Sequence, residues 1–212
     1  DNVVSGSFLS EMNSMLNEGH EVIQGYIDSK NPFDSWISLS YSIAFWLSNR
    51  TFQQTRYNLG LSCGLCGTGF CIRTSVLKEI GWGATCLTED LEFTMKLILN
   101  NKNVAFCSKA VVYDEKPLTF IQSWKQRKRW MQGHTDCAKR YMAKLFKKAL
   151  LERDPAALDG GIYLFQPVHF ICFGLAAIFS WLKMAFPSAP FYIVGYSYPE
   201  YIWTLIVLIQ LF

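Results

Sequence analysis

The sequence predicts a layered α/β domain with a partly parallel sheet, followed by an apolar segment suited to a bilayer. Three observations carry this expectation. Strand-like and helix-like stretches alternate over about the first 137 residues, the pattern of strands joined by helical crossovers. Residues 1–160 hold 19 of the 20 Lys/Arg and 16 of the 17 Asp/Glu, while residues 161–212 keep only Lys183 and Glu200. Half of the 212 residues are hydrophobic and only 17% are charged, against about 25% in an average soluble domain. A disordered chain, a collagen-like chain and a small disulfide scaffold are excluded.

The elements follow in order. Phe8, Leu9, Met12, Met15 and Leu16 recur at helical spacing within residues 7–18, and Gly19 stops that helix. Residues 22–26 read as a short strand. Ser35 can cap a long helix over about 36–57, with Trp36, Leu39, Ile43, Trp46 and Leu47 on one side. The Gly/Cys-rich stretch 61–69 is a turn region that enters a strand at Phe70, and residues 75–80 form a short helix closed by Gly81. Thr88 has the place of an N-cap, with Glu89, Asp90 and Glu92 in the first turn of a helix through Leu99. Residues 104–107 and 110–113 read as two strands, and another helix begins near Thr119.

Between Lys125 and Arg153 stand ten Lys/Arg against two acids, Asp136 and Glu152. Ala138, Tyr141, Met142, Leu145, Phe146, Ala149 and Leu150 fall on one helical face, with Lys139, Arg140, Lys144, Lys147 and Lys148 around it. That is the pattern of an interfacial helix on an anionic membrane; the alternative is a basic helix packed on the domain. The expected organisation is therefore 1–137 as the α/β domain, 138–160 as interfacial helix and linker, and 161–212 as membrane region. Asp154-Pro155 and Asp159-Gly160-Gly161 are read as chain breaks. A first span is expected at about 162–182, 21 uncharged positions or about 31 Å of helix, and a second from about 201. The basic block before the span predicts a multi-pass protein of the cell membrane with the α/β domain in the cytoplasm. Seven cysteines without repeated spacing agree with a reducing compartment. The net charge of +3 gives no argument for a nucleic-acid partner. There is no initiating Met, and the chain stops within an apolar run, so an internal fragment is expected.

Two groups of residues could carry chemistry. Thr88-Glu89-Asp90 puts two carboxylates at a helix N-terminus, which by itself can be simple capping. Gln126, Arg127, Arg129 and Trp130 place an amide, two guanidiniums and an indole within about one helical turn. Guanidiniums suit a pyrophosphate, the amide can bond sugar hydroxyls, and the indole face suits a pyranose. The competing reading is a basic membrane-proximal stretch with Trp130 as an interface anchor. Cys63 and Cys66 have the spacing of half a zinc site, but no second pair completes one, and small residues in a packed turn are expected.

Cys66-Gly67-Thr68, Leu87-Thr88-Glu89-Asp90 and Gln126-Arg127-Lys128-Arg129-Trp130, in that order before an apolar span, resemble the membrane-integrated family 2 glycosyltransferases. These include bacterial cellulose synthase catalytic subunits, poly-N-acetylglucosamine synthases and, more distantly, hyaluronan and chitin synthases. The resemblance covers essentially the whole chain. It implies the C-terminal part of a GT-A fold, a Rossmann-like α/β sandwich, above a membrane channel. It implies Asp90 as general base, with Glu89 beside it, and Gln126, Arg129 and Trp130 at the donor pyrophosphate and acceptor sugar. Arg127 takes a variable position of that motif, and Cys66-Gly67-Thr68 resembles the loop lining the acceptor terminus. Asp1 looks like the second Asp of a metal-binding Asp-x-Asp for Mg or Mn, with the first Asp and the nucleotide-binding half missing, so the fragment alone is expected to be inactive. The implied function is inverting transfer from a nucleotide sugar, by expectation a UDP-sugar, to a growing β-linked polysaccharide. A non-processive transferase acting on a lipid acceptor and an inactive membrane-anchored assembly partner are the alternatives. An accessory membrane subunit is a further expected partner.

Overall fold

The computed structural model describes residues 2–186, so Asp1 and the apolar run expected from about 201 lie outside the described residues. The chain divides into two compact units between Phe165 and Gln166.

The first unit is built on a four-stranded sheet of order β1-β4-β2-β3. β1 (Val3–Val4) and β3 (Phe70–Ile72) are short edge strands, each antiparallel to its neighbour. The central pair, β2 (Val22–Ser29) and β4 (Val104–Asp114), runs parallel, so the partly parallel sheet is as expected. The two strands predicted over 104–113 are one. A bulge opposite Gly25 and Tyr26 absorbs Ser108–Ala110, and the polar pair that looked like a loop stays within the strand.

α1 (Phe8–Asn17) covers one side of the sheet, burying Phe8 and Met12 against Ile23, Ile27, Ala105 and Val112. α2 (Trp36–Ser48) starts at Ser35, whose hydroxyl accepts the Ser38 N–H at 3.1 Å while the Ser38 hydroxyl accepts the Ser35 N–H at 2.9 Å. It passes into a π-helical segment over Asn49–Gln54 and then α3 (Thr55–Asn58). The widened turn is held by Asn49, whose amide donates to the Ile27 carbonyl at 2.8 Å, and π segments are frequent at functional sites. α4 (Thr74–Ile80) closes at Gly81 as expected. α5 (Glu89–Leu99) buries Phe93 and Leu97 under the sheet with Val22, Val104 and Phe106.

α6 (Phe120–Glu152) is one continuous helix of 33 residues. Thr119 and Gln122 form its capping box. The boundary expected at 137/138 therefore falls inside a helix. The apolar face of 138–150 is also not on a membrane surface: Cys137, Tyr141 and Leu145 are core residues, packed with Leu91, Met95 and Ile98 of α5 and with Ala156, Ala157 and Leu164. Lys148, assigned to the outward cationic face, is buried and pairs with Glu152 at 2.8 Å and Asp154 at 3.1 Å. The interfacial reading is corrected to a helix packed on the domain, with Leu150 and Leu151 exposed.

α7 (Pro155–Tyr163) corrects a second expectation. Asp154 caps it by accepting from the Ala156 and Ala157 N–H groups, and Pro155 sits in its first turn. Asp159, Gly160 and Gly161 do not break the chain; they lie in this helix. Gly160 and Gly161 are buried where a Cβ would stand 3.2 Å from Ile98 and 3.1 Å from the Phe146 ring. Asp159 takes a bidentate pair with Arg56 at 2.6 and 3.0 Å.

In the second unit, α8 (Gln166–Ala185) is 20 residues long. The stretch expected as one span at 162–182 is thus shared between α7 and α8. Pro167 explains the break, because a proline fits the first turn of a new helix but not the interior of a continuing one. No helix among the described residues is long and apolar enough to cross a membrane.

Candidate active site

The site is a corner where α5 begins. Glu92 makes it. Buried in the first turn, its carboxylate accepts the Thr85 and Cys86 N–H groups at 2.6 and 2.8 Å and the Tyr141 hydroxyl at 2.7 Å. Burial opposes its ionisation, yet the Cys86 N–H, the Tyr141 hydroxyl, the Thr85 N–H and Lys96 hold its pKa down at about 2. The loop before Thr88 is thereby tied to α6. Arg140 adds a second tie, pairing with Asp136 at 2.7 Å and donating to the Thr85 hydroxyl at 2.6 Å.

Thr88 stands at the N-cap position but its side chain caps nothing. It is pressed against α6 at Gly133, where a Cβ would come within 2.5 Å of the Thr88 hydroxyl and 2.8 Å of its nitrogen. Only a glycine allows the two backbones this approach. Glu89 is exposed. Asp90 turns the other way, and its Oδ1 accepts the Leu91 N–H at 2.7 Å. Its pKa is pushed up to about 6, chiefly by burial and secondarily by Glu89, against the pull of the Leu91 N–H and of Arg129.

Opposite Asp90 lies the Cys66-Gly67-Thr68 loop. Gly67 has a φ of +70°, and a Cβ there would stand 3.3 Å from Asp90 Oδ2. Two buried amides fix the loop. Gln24 accepts the Cys66 N–H at 3.0 Å and donates to the Thr68 carbonyl at 2.9 Å. Gln53, in the π segment, accepts the Gly64 N–H at 2.9 Å and donates to the Gly64 carbonyl at 2.8 Å. Thr94 of α5 accepts the Leu65 N–H at 3.0 Å, and Asn2 donates to the Thr68 hydroxyl at 2.6 Å. The cysteines fill space, as expected. Burial raises the Cys63 and Cys66 thiols to about 12, with Asp90 adding to the effect at Cys66, so neither offers a thiolate near neutral pH.

The Gln126–Trp130 stretch occupies the exposed first half of α6 and divides its residues. Arg129 is exposed and close enough to Asp90 to favour its anion. Trp130 is half-buried against α2, its ring centroid 6.1 Å from that of Tyr41 and 6.5 Å from that of Phe45. Gln126 keeps a buried Oε1 with no partner among the described residues. Arg127 is committed elsewhere: its guanidinium donates to the Tyr41 hydroxyl at 3.2 Å and lies over that ring. It braces α6 on α2 while remaining exposed. Among the described residues no group of three or more His, Cys, Asp or Glu side chains could hold a metal ion. The Mg or Mn expectation stays with Asp1 and the resemblance.

The start of α5 thus brings together, within an α/β frame, a carboxyl with a raised pKa, a glycine loop facing it and an arginine near enough to act on its charge. The chain matches the model of glycosyl transferase family group 2 over residues 1–212 and belongs to that family. It is similar to the probable glycosyltransferase YdaM of Bacillus subtilis strain 168, 30% identical over 108 residues, 50% of this chain and 24% of that protein. It is also similar to the beta-monoglucosyldiacylglycerol synthase of Trichormus variabilis, 35% identical over 83 residues, 39% of this chain and 18% of that protein. The matched stretches thus span less than a quarter of these relatives.

Sequence reasoning named Asp90, Arg129, Trp130 and the loop as candidates, and the structure places Asp90 opposite the loop with Arg129 near it; it did not point to Gly133, Gln24, Gln53 or the cross-linking role of Glu92. Only Glu92 left a trace, as one more first-turn acid.

Proposed function

We propose that this chain carries the acceptor half of an inverting glycosyltransferase site that moves a sugar from a nucleotide-sugar donor, by preference a UDP-sugar, to an acceptor hydroxyl. The observation that carries this reading is the pairing of Asp90 with Gly67: a carboxyl raised to about 6, one oxygen committed to its own helix, the other facing a loop residue without a side chain. The acceptor hydroxyl is assigned to that second oxygen. Its proton passes to Asp90 as its oxygen bonds to the anomeric carbon, while the bond from that carbon to the diphosphate breaks and the diphosphate leaves with the electron pair. One displacement inverts configuration, so an α-linked donor gives a β-linked product. Arg129 supplies positive charge near the leaving group, and Trp130 gives the acceptor an aromatic face.

Two acceptors remain in view within this reading. A growing β-linked polysaccharide follows from the sequence resemblance; a lipid such as diacylglycerol is favoured by the similarity to the monoglucosyldiacylglycerol synthase. Both agree with action at the cytoplasmic face of the cell membrane, supported by the near absence of charge after residue 160 and the basic residues before it.

The test uses the full-length protein in lipid vesicles, with labelled UDP-glucose and UDP-N-acetylglucosamine and product length analysis. Polymer, single glycolipid and no product separate the alternatives. Trp130→Ala is expected to impair transfer much more than donor hydrolysis. Equal loss of both would remove Trp130 from the acceptor side.

A further inference from the structure

Lys116 lies between β4 and α6 and is only 3% exposed, whereas a lysine is almost never this buried unless paired. One side chain clamps its backbone: Asn31 accepts the Lys116 N–H at 2.7 Å and donates to the Lys116 carbonyl at 3.0 Å. The ammonium has two unlike neighbours. Asp114 Oδ2 is 3.0 Å away, and the centre of the Phe45 ring is 3.5 Å away. Phe45 then meets Trp130 edge-on, with centroids 6.5 Å apart. The Cys66 thiol and the Asp28 carboxylate are also within electrostatic reach. Lys116 therefore stands behind Phe45, the ring that meets Trp130, and within reach of Cys66 in the loop opposite Asp90.

We propose that Lys116 is a positioning residue for the acceptor: its ammonium, anchored by Asp114, holds the face of Phe45 and through it sets the angle of Trp130. This rests on the transferase reading above. A methylene chain could fill the same volume, but it would leave the ring free to turn. A cation over the ring is drawn to the negative centre of the face and so selects one orientation. Because Phe45 and Trp130 meet as an edge-to-face pair, turning Phe45 moves the indole. The ammonium itself is enclosed, so its effect reaches the acceptor through those two rings and leaves donor cleavage alone.

The experiment measures acceptor KM and donor hydrolysis with full-length enzyme in vesicles, each normalised to folded protein, using UDP-glucose or UDP-N-acetylglucosamine with diacylglycerol or a β-linked oligosaccharide. Lys116→Met is expected to raise acceptor KM about tenfold, the size of a partly desolvated cation–π contact, with donor hydrolysis unchanged. Lys116→Arg restores most of the affinity. Phe45→Leu gives the same rise, and the double variant is no worse than either single one. Equal loss of transfer and hydrolysis, additive losses, or a wild-type KM in Lys116→Met would overturn the assignment. If Lys116→Met does not fold, Phe45→Tyr against Phe45→Leu decides: the tyrosine keeps the face and must keep the KM, and equal values overturn it. A wild-type enzyme that neither transfers nor hydrolyses overturns the transferase reading itself, whereas normal wild-type transfer with an unmoved KM in the variants overturns only the role of Lys116.

Discussion

Asp90 and Glu92 are two residues apart in the first turn of the same helix, under the same dipole, and their carboxyls are driven in opposite directions, to about 6 and about 2. Asp90 points into a partly covered space with one N–H bond to its own helix, so burial wins. Glu92 points into the junction with α6 and meets two N–H groups and a hydroxyl, so hydrogen bonding wins. The helix end provides the same field to both; the neighbours supply the difference. One face of the corner keeps a reactive group, and the other keeps the corner in place.

The largest effect expected from breaking this division is on Asp90. Asp90→Asn removes the proton acceptor at constant size and should lower transfer by about 10²–10⁴-fold, with nucleotide binding and urea stability nearly unchanged. Near-normal turnover would take Asp90 out of the reaction. Glu92→Ala should do the reverse in kind. It strands the Cys86 N–H and the Tyr141 hydroxyl in the core and should cost about 3 kcal/mol in urea unfolding. An unaltered midpoint would show that the loop before Thr88 is held by other contacts.

Gly133→Ala tests the same corner from α6. The added methyl must displace Thr88 or the helix, at a cost of about 1–3 kcal/mol, and transfer should fall although the variant touches no substrate. A stable, fully active Gly133→Ala would mean that the two backbones separate without consequence.

The smallest effect is the pH dependence, which sharpens the comparison without a mutation. Transfer should fall about tenfold per pH unit below about 6, as Asp90 takes up a proton. The stability signs are opposite. Asp90 has a folded pKa above its ordinary 3.8, so its contribution is present at lower pH and is lost as pH rises through about 6. Glu92 has a folded pKa below its ordinary 4.5, so its contribution is present above that value and is lost as pH falls through about 2. At pH 5 the enzyme should therefore be slow yet well folded by urea titration. Parallel loss of activity and fold near pH 6 would contradict this.

The parts legible in the sequence are those with local causes. Ser35 and Thr119 announce their helices because a cap and its partner lie three residues apart. The alternation of strands and helices gives the layered class. The rest depends on partners far along the chain. Asp159-Gly160-Gly161 looks like a break until Arg56, Ile98 and Phe146 are seen around it. The periodicity of 138–150 predicts an apolar face correctly but cannot say whether lipid or α5 covers it. Within the motif, spacing cannot tell that Arg127 also braces α6 through Tyr41, 86 positions away. Lys116 and Gly133 carry no pattern at all, since one buried cation or one close approach leaves no repeat.

The unbroken length of α6 has a kinematic consequence. Its core-packed residue Leu145 and the site residue Trp130 are 15 positions apart on one rod, about 22 Å at 1.5 Å per residue. A tilt of about 3° around the packed end would carry the indole roughly 1 Å, a displacement that can cost about 10²-fold in rate. The seating of Gly133 on Thr88 and of Arg127 on Tyr41 is therefore what keeps this long arm from swinging.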